Sequence, residues 1–194
     1  MIRLTLPVAE KEVRALRTGD EVYLSGRLVT GRDRVHERIV TENILPDISL
    51  EGGAVFHAGP IVKGVAETGF ETLAIGPTTS MRMENFEAEF IAKTGVRLII
   101  GKGGMGMRTA AACKKYGAAH LMFAGGAAVL AAERITKTEG VIWDDLGMPE
   151  AMWVLDAESL GPLIVTIDAE GNNMFEENKK KFAAAKEAAL KKYL

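Results

Sequence analysis

The order of apolar and polar positions along the chain predicts short strands alternating with short helices. Ile2, Leu4 and Leu6 alternate with Arg3 and Thr5, the period of two that marks a half-buried strand. Pro7 ends the run. Lys11 to Leu16 is too short to assign, Thr18-Gly19-Asp20 is a turn, and an apolar, β-prone run resumes at Glu21. The phrase V-Y-L-S-G-R-L-V-T reads as one strand that bends at Gly26 and continues to Thr30, as in a curled sheet. Val35 to Asn43 has helical spacing, with Val35, Ile39 and Asn43 on one face.

Further along, residues 52–62 read as a strand held between glycines. Leu73 to Ile75 and Val96 to Ile100 are two apolar runs, each ending in Gly and opening onto a polar loop and a helix-forming segment. Arg108 to Tyr116 is an alanine-rich helix with Gly117 placed as its C-cap, His120 to Phe123 is a short buried strand, and Ala127 to Ile135 is helical. Val141–Trp143, Met152–Leu155 and Leu163–Ile167 read as three later strands, the last two separated by Gly161-Pro162. Phe175 to Leu194 is a final helix, with Glu177 and Lys181 four apart in the favourable order. The alternation indicates an α/β protein. No internal repeat and no linker interrupts residues 1–194, so we expect a single layered domain closed by the 175–194 helix.

Composition narrows the function classes. A chain of 194 residues, 47% hydrophobic, with net charge -2, is long enough to bury one sizeable core. A pI near 6.0 and a single basic run, Lys179–Lys181, offset by Glu176 and Glu177, give no clustered basic surface for nucleic acid. The N-terminus has no signal-peptide pattern, and no apolar window reaches the roughly 18 residues of a membrane span. Cys113 is the only cysteine, so no internal disulfide and no self-sufficient cysteine cluster can form. These features lead us to expect a soluble cytoplasmic protein.

Candidate chemistry concentrates between Leu73 and Met107. Two loops at strand ends carry Thr78 and Thr79, Arg82, and Lys102 flanked by glycines. Hydroxyls and fixed cations thereby meet bare backbone amides, with Gly103 allowing close approach, a combination suited to a small anion. The structural alternative is an arginine in a surface ion pair and a lysine on a solvated loop tip. Gly101-x-Gly103-x-x-Gly106 formally matches the dinucleotide fingerprint, but the next strand ends without the ribose-binding acid. No Walker loop is present, since no Gly-Lys-Ser/Thr occurs. Cys113 lies in mid-helix between alanine and lysine and reads as a packing residue. His36 and His57 are possible acid-base groups or ligands, yet neither belongs to a spacing typical of a metal site. His120, entering a strand, reads as structural.

Four segments taken in order, S-G-R-L-V-T-G-R-D-R-V-H-E, G-A-V-F-H-A-G-P-I, I-G-P-T-T-S-M-R-M-E and I-I-G-K-G-G-M-G, carry a resemblance. They are similar to the β subunit, equivalently the C-terminal domain, of class I fumarate hydratases and the related L-tartrate dehydratases. The resemblance spans residues 1 to about 165. It implies a swivelling β/β/α domain packed on an α subunit, with the active site between the two. It further implies a four-iron four-sulfur cluster held by three cysteines of that α subunit and none held by this chain alone. By position in the motifs, Arg32, Arg82 and Lys102 would bind substrate carboxylates. Thr78 would supply the hydroxyl at the reacting carbon, with Lys102 beside it, and Thr79 would cap the following helix or support the site. The implied substrate is a small dicarboxylate, fumarate or L-malate first and tartrate, converted to oxaloacetate, next. The implied assembly has two copies of each subunit, and the isolated chain would be a β homodimer. The competing reading is a stand-alone anion- or nucleotide-binding regulatory module built on the Gly101–Gly106 loop.

Overall fold

The protein was analysed as a computed structural model, which describes residues 1–65 and 69–193. In chain order the elements are β1 (Ile2–Thr5), α1 (Glu10–Ala15), β2 (Glu21–Thr30), α2 (Asp33–Val40), β3 (Ala54–Phe56), β4 (Ala58–Val65) and β5 (Gly69–Pro77). They continue with a 3-10 turn at Ser80–Met83, α3 (Glu84–Thr94), β6 (Leu98–Gly101), α4 (Met107–Tyr116), β7 (Ala119–Met122), α5 (Ala128–Ala132), β8 (Ile135–Ile142), a 3-10 turn at Asp144–Leu146, β9 (Met152–Ile167) and α6 (Met174–Tyr193). The expected final residue of the last helix, Leu194, and residues 66–68 lie outside the described residues. No described helix is long and apolar enough to cross a membrane.

Strands β1, β2, β3, β6 and β7 run parallel to their neighbours in that order. Strand β9 pairs antiparallel with both β7 and β2, so the pairings close a ring through β2, β3, β6, β7 and β9. From β9 the sheet extends outward through β8, β5 and β4, all antiparallel.

The pleat explains why the parallel strands have a core on each face, because successive side chains point to opposite sides. In β3 and β6, Ala54, Phe56, Leu98 and Ile100 join one cluster with Leu155, Leu163 and Val165 of β9. The intervening Val55 and Ile99 join a second cluster with Val35 and Ile39 of α2, Phe90 and Ile91 of α3, and Ala110 and Cys113 of α4. Small residues on α4 let that helix lie close to the strands. The caps follow the sequence: α3 and α4 end in Gly95 and Gly117, both left-handed.

Several expected elements differ. The Val35 helix stops at Val40, and residues 52–62 form two strands broken at His57, not one. Helix Ala127–Ile135 is cut back to Ala128–Ala132, because Ile135 already pairs with Ala157 as the start of β8. Met152–Leu155 and Leu163–Ile167 are halves of one 16-residue strand. Gly161-Pro162 does not end it, since the strand is held there by β2, with Leu160 opposite Leu24 and Leu163 opposite Val22. The segment before Leu16, too short to assign, is α1, fixed by the Glu12 carboxylate accepting from Ala9 N at 3.0 Å.

The bend expected at Gly26 is present. Its φ is +101°, the β2–β9 register shifts there, and a Cβ would lie 2.8 Å from the Leu6 carbonyl oxygen. Gly26→Ala therefore combines a disfavoured backbone conformation with a backbone clash. It should cost more than about 1 kcal/mol, read as a lower urea midpoint at constant slope. An unchanged midpoint would show that the bend tolerates a side chain.

Candidate functional site

The loops after β2, β5 and β6 meet on one edge because their backbones are zipped together. After β5, Thr78 N donates to His57 O at 2.6 Å. Lys102 N donates to Thr78 O at 3.0 Å and Ser80 N to Lys102 O at 3.0 Å, so Thr79 and Lys102 form a parallel bridge. The loop after β2 is joined to the same edge through Gly31 N, which donates to Phe56 O at 2.9 Å. The Arg82 guanidinium then pairs with Asp33, Nε donating to Oδ1 at 3.1 Å and Nη2 lying 2.7 Å from Oδ2 in an ion pair without hydrogen-bond alignment.

Arg32, Thr78, Thr79, Arg82, Lys102 and Gly103 are thus brought to one side of the molecule. Thr78 is half-buried, Thr79, Arg82 and Lys102 are exposed, and Gly103 has φ +75° with nothing near the position of a Cβ. Arg32 is the most enclosed cation, bonded to Glu150 at 3.0 Å and to Pro149 O at 3.4 Å. No ion pair of Lys102 occurs among the described residues. Thr79 occupies the N-cap position of the 3-10 turn but makes no capping hydrogen bond with its side chain.

His36 and His57 do not reach this face. Both are fully buried, as are Glu87, Ser80, His120 and Thr166, and the six form one polar cluster beneath the loops. His36 Nδ1 lies 2.9 Å from Arg32 O, and since a carbonyl can only accept, this nitrogen carries the hydrogen. Ser80 Oγ bridges His57 Nδ1 and His120 Nε2, each at 3.0 Å, and His120 Nδ1 meets Thr166 Oγ1 at 2.6 Å. Ser80 fills the space next to Gly101, where a Cβ would come within 1.9 Å of its Oγ, so only glycine fits there. The Nε2 atoms of His36 and His57 face the same Glu87 Oε2 at 3.3 and 3.1 Å. These are ion-pair distances without hydrogen-bond alignment, and both nitrogens and both Glu87 oxygens have no hydrogen-bond partner.

Burial acts on each of these groups. It pushes His57 below the ordinary histidine value despite the adjacent Glu87 charge, and it pushes His120 down to about 3. Burial alone would raise Glu87, but the two imidazoles outweigh it and hold the carboxyl below its usual range. Cys113 is equally buried, with its thiol pushed far up by desolvation and then by the Glu87 charge. One protonated, inaccessible thiol does not fit an iron-sulfur cluster, which is held by several thiolates.

The Gly101–Gly106 loop leads into α4, whose N-terminal amides are already occupied. Glu84 accepts from Gly106 N at 2.7 Å, Arg108 N at 3.1 Å, Thr109 N at 3.3 Å and Thr109 Oγ1 at 2.7 Å. The carboxylate stands where a bound phosphate would sit on a nucleotide-binding loop. Sequence reasoning passed over Glu84, Glu87, Ser80, Asp33 and Glu150. For Glu87 a signal existed: with Met83, Phe90 and Ile91 it falls on the buried helical stripe, where an unpaired carboxylate is out of place.

Comparison with known proteins identifies the family. The family model described as Fumarase C-terminus matches residues 1–178, and the chain belongs to this family, the β subunit of class I fumarate hydratases and its relatives. It is 49% identical over 180 residues to the L(+)-tartrate dehydratase subunit beta of Escherichia coli, covering 93% of this chain and 89% of that one. A Methanocaldococcus jannaschii protein provisionally given the same name is 41% identical over 179 residues, covering 90% and 91%. A Geobacillus stearothermophilus protein provisionally named fumarate hydratase class I is 37% identical over 180 residues, covering 93% of this chain but 34% of that protein.

The buried histidine chain predicts acid sensitivity. His120 is neutral in the fold down to about 3, whereas in the unfolded chain it protonates below about 6.5. The unfolded state therefore binds more protons in that window, and stability falls as pH falls from 6.5 toward 3. Urea midpoints at pH 7, 6 and 5 should decline, and His120→Asn should flatten the decline. Equal pH slopes in wild type and variant would remove His120 as a cause.

Proposed function

We propose that the chain is the β subunit of an iron-sulfur hydro-lyase that removes water from, or adds it to, a small dicarboxylate. The observation that carries this reading is that Arg32, Arg82, Lys102 and Thr78 stand on loops of one face, with the Thr78 and Lys102 loops joined by backbone hydrogen bonds. Two carboxylates on a substrate need fixed cations, and arginine grips a carboxylate with two parallel bonds. Elimination takes a proton from the carbon beside one carboxylate while a hydroxyl leaves the neighbouring carbon. Charge building on that carboxylate is met by cations already in place.

In this reading Arg32, Arg82 and Lys102 hold the carboxylates, the Gly103 amide is open to an oxygen, and Thr78 sits at the carbon that loses its proton. A threonine hydroxyl is a weak base in neutral water, so the adjacent cations must favour its deprotonated form. The cluster implied by the family has no thiolate set here and belongs, in this proposal, to an α subunit, where it would supply the Lewis acid for the departing hydroxyl. That partner would cover the open face, with this chain as its swivelling β/β/α unit. Among substrates we favour tartrate over fumarate, supported by the names of the relatives at 49% and 41% identity. The Glu84 carboxylate on the α4 amides speaks against the nucleotide-binding alternative.

The test is co-production with the partner subunit under anaerobic conditions, followed by turnover of L-tartrate, L-malate and fumarate. Turnover of none of the three would overturn the reading. In the active complex, Arg82→Ala or Lys102→Ala should each cost about 2–5 kcal/mol of transition-state stabilisation, and Arg82→Lys should stay impaired. Near wild-type kcat/KM in both alanine variants would take these cations out of the site. Thr78→Val keeps the shape and deletes the hydroxyl. Turnover and exchange of the substrate's carbon-bound hydrogen with deuterated solvent should fall together while KM and Tm hold. Retained exchange would return Thr78 to a structural role.

A further inference from the structure

We propose that His36, His57 and Glu87 form a buried divalent-cation site, of a kind suited to Zn²⁺, that ties α2, the β3–β4 junction and α3 together beneath the open face. The first support is the set of atoms left without hydrogen bonds. Among the described residues, His36 Nε2, His57 Nε2, Glu87 Oε1 and Glu87 Oε2 are all buried and all unpartnered, and they belong to three residues whose donor atoms converge. Native proteins rarely leave even one such group unsatisfied. Four orphaned atoms facing one another, two imidazole nitrogens and the two oxygens of one carboxylate, make a two-histidine, one-carboxylate donor set of the kind zinc takes, with a fourth position left open.

The second support is directional. Zinc bonds to nitrogen and oxygen run at about 2.0–2.2 Å, so the edge of a tetrahedral site is about 3.3 Å. The two Nε2–Oε2 separations are 3.3 and 3.1 Å. In such a site each ring nitrogen aims at the central ion and misses the neighbouring ligand. That matches ion-pair distances lacking hydrogen-bond alignment.

The third support comes from the outer partners, which fix the His36 tautomer and anchor the far nitrogen of His57. His36 Nδ1–H donates to Arg32 O, so its other nitrogen, when the ring is neutral, offers a lone pair. For the second ring, one consistent chain of donors runs from His57 Nδ1–H to Ser80 Oγ, from the Ser80 hydroxyl to His120 Nε2, and from His120 Nδ1–H to Thr166 Oγ1. The Thr166 hydroxyl then donates to His120 O at 3.3 Å. Reversing the chain would turn the Thr166 hydroxyl onto His120 Nδ1 and abandon that last bond. The forward chain keeps that bond and leaves the His57 Nε2 lone pair facing Glu87. Metal-bound histidines characteristically have the other ring nitrogen anchored in this way. Two buried lone pairs facing a carboxylate are costly, and a cation between them removes that cost.

The experiment uses the untagged full chain and Zn²⁺ or Co²⁺ alone. Chain as purified, and chain unfolded with a chelator and refolded with each metal, is freed of excess metal by gel filtration and analysed by elemental mass spectrometry. About one equivalent per chain should be retained, with a rise in Tm over the metal-free form. The Co²⁺ form should show the strong visible bands of four-coordinate cobalt. Ser80→Ala, which removes only the hydroxyl that orients His57, should weaken metal affinity roughly 10–100-fold, and Glu87→Gln should abolish retention. Less than about 0.1 equivalent in wild-type chain, both as purified and after reconstitution, overturns the proposal in favour of a protonated imidazolium–carboxylate cluster. Metal retained equally by wild type and Glu87→Gln overturns it too. Because the wild-type measurement decides by itself, a variant that fails to fold does not remove the test.

Discussion

Strand β9 is the constraint on which the rest of the fold depends. It pairs with β2 along both of its halves, with β7 at its end and with β8 at its beginning, so one strand closes the ring and founds the antiparallel extension. Five parallel strands alone would leave two long edges with unpaired amides. With β9 across the opening, β2 and β7 are no longer edges, and Leu155, Leu160, Leu163 and Val165 fill the space enclosed. Trp153 N also donates to Thr30 Oγ1 at 2.9 Å, while Thr30 Oγ1 donates to Ala151 O. This buried clasp fixes the end of β2 just before Gly31 and Arg32. The position of the most enclosed cation on the open face is thereby set from the strand that closes the ring.

The site itself has two layers with opposite physics. On the surface, cations and hydroxyls stand in water on loops joined by backbone bonds. Beneath them, a carboxylate, three imidazoles and two hydroxyls are removed from solvent altogether, where an unmatched charge costs several kcal/mol and cannot be screened. His57 belongs to both layers: its carbonyl receives Thr78 N while its ring faces Glu87 and Ser80. Any rotation of that residue would break contacts in a medium of low dielectric, so the buried layer stiffens the loops above it.

Much of this was legible in the chain, and the remainder failed for identifiable reasons. The bend at Gly26, the C-cap at Gly117 and the strand–loop–helix sequence around Thr78 and Lys102 depend on local chemistry, and sequence carries local chemistry. The single strand β9 was read as two because Gly161-Pro162 is a local breaker, whereas pairing with β2 overrides it. Residues 52–62 read as one strand because glycines bracket a continuous β-prone run, while the break at His57 separates β3, which pairs with β2 and β6, from β4, which pairs with β5. The pairings of His57 with Glu87, Arg82 with Asp33 and Arg32 with Glu150 join residues 30, 49 and 118 positions apart. No spacing rule reaches across such distances, so the histidines read as isolated, and the surface ion pair that is the structural alternative for Arg82 could not be given its partner, Asp33.

Those arginine pairings bear on how an open face can be both ordered and available. Arg82, about half exposed, holds Asp33 through one hydrogen bond and an ion-pair contact, yet an ion pair at such exposure contributes only about 0.2–1 kcal/mol. Asp33 therefore keeps the guanidinium in one orientation without competing strongly against an incoming carboxylate, particularly once a covering partner removes water and strengthens every charge interaction. Arg32 and Glu150 are both four-fifths buried, so their attraction is stronger and their geometry harder to change. The two arginines are thus unequal: in the proposed site Arg82 exchanges its acid for a ligand, whereas Arg32 receives a ligand alongside the acid it already holds. In that proposal Lys102, on the loop zipped to Thr78 and with no ion pair among the described residues, is the cation that meets the least competition from neighbouring acids as charge develops on the ligand.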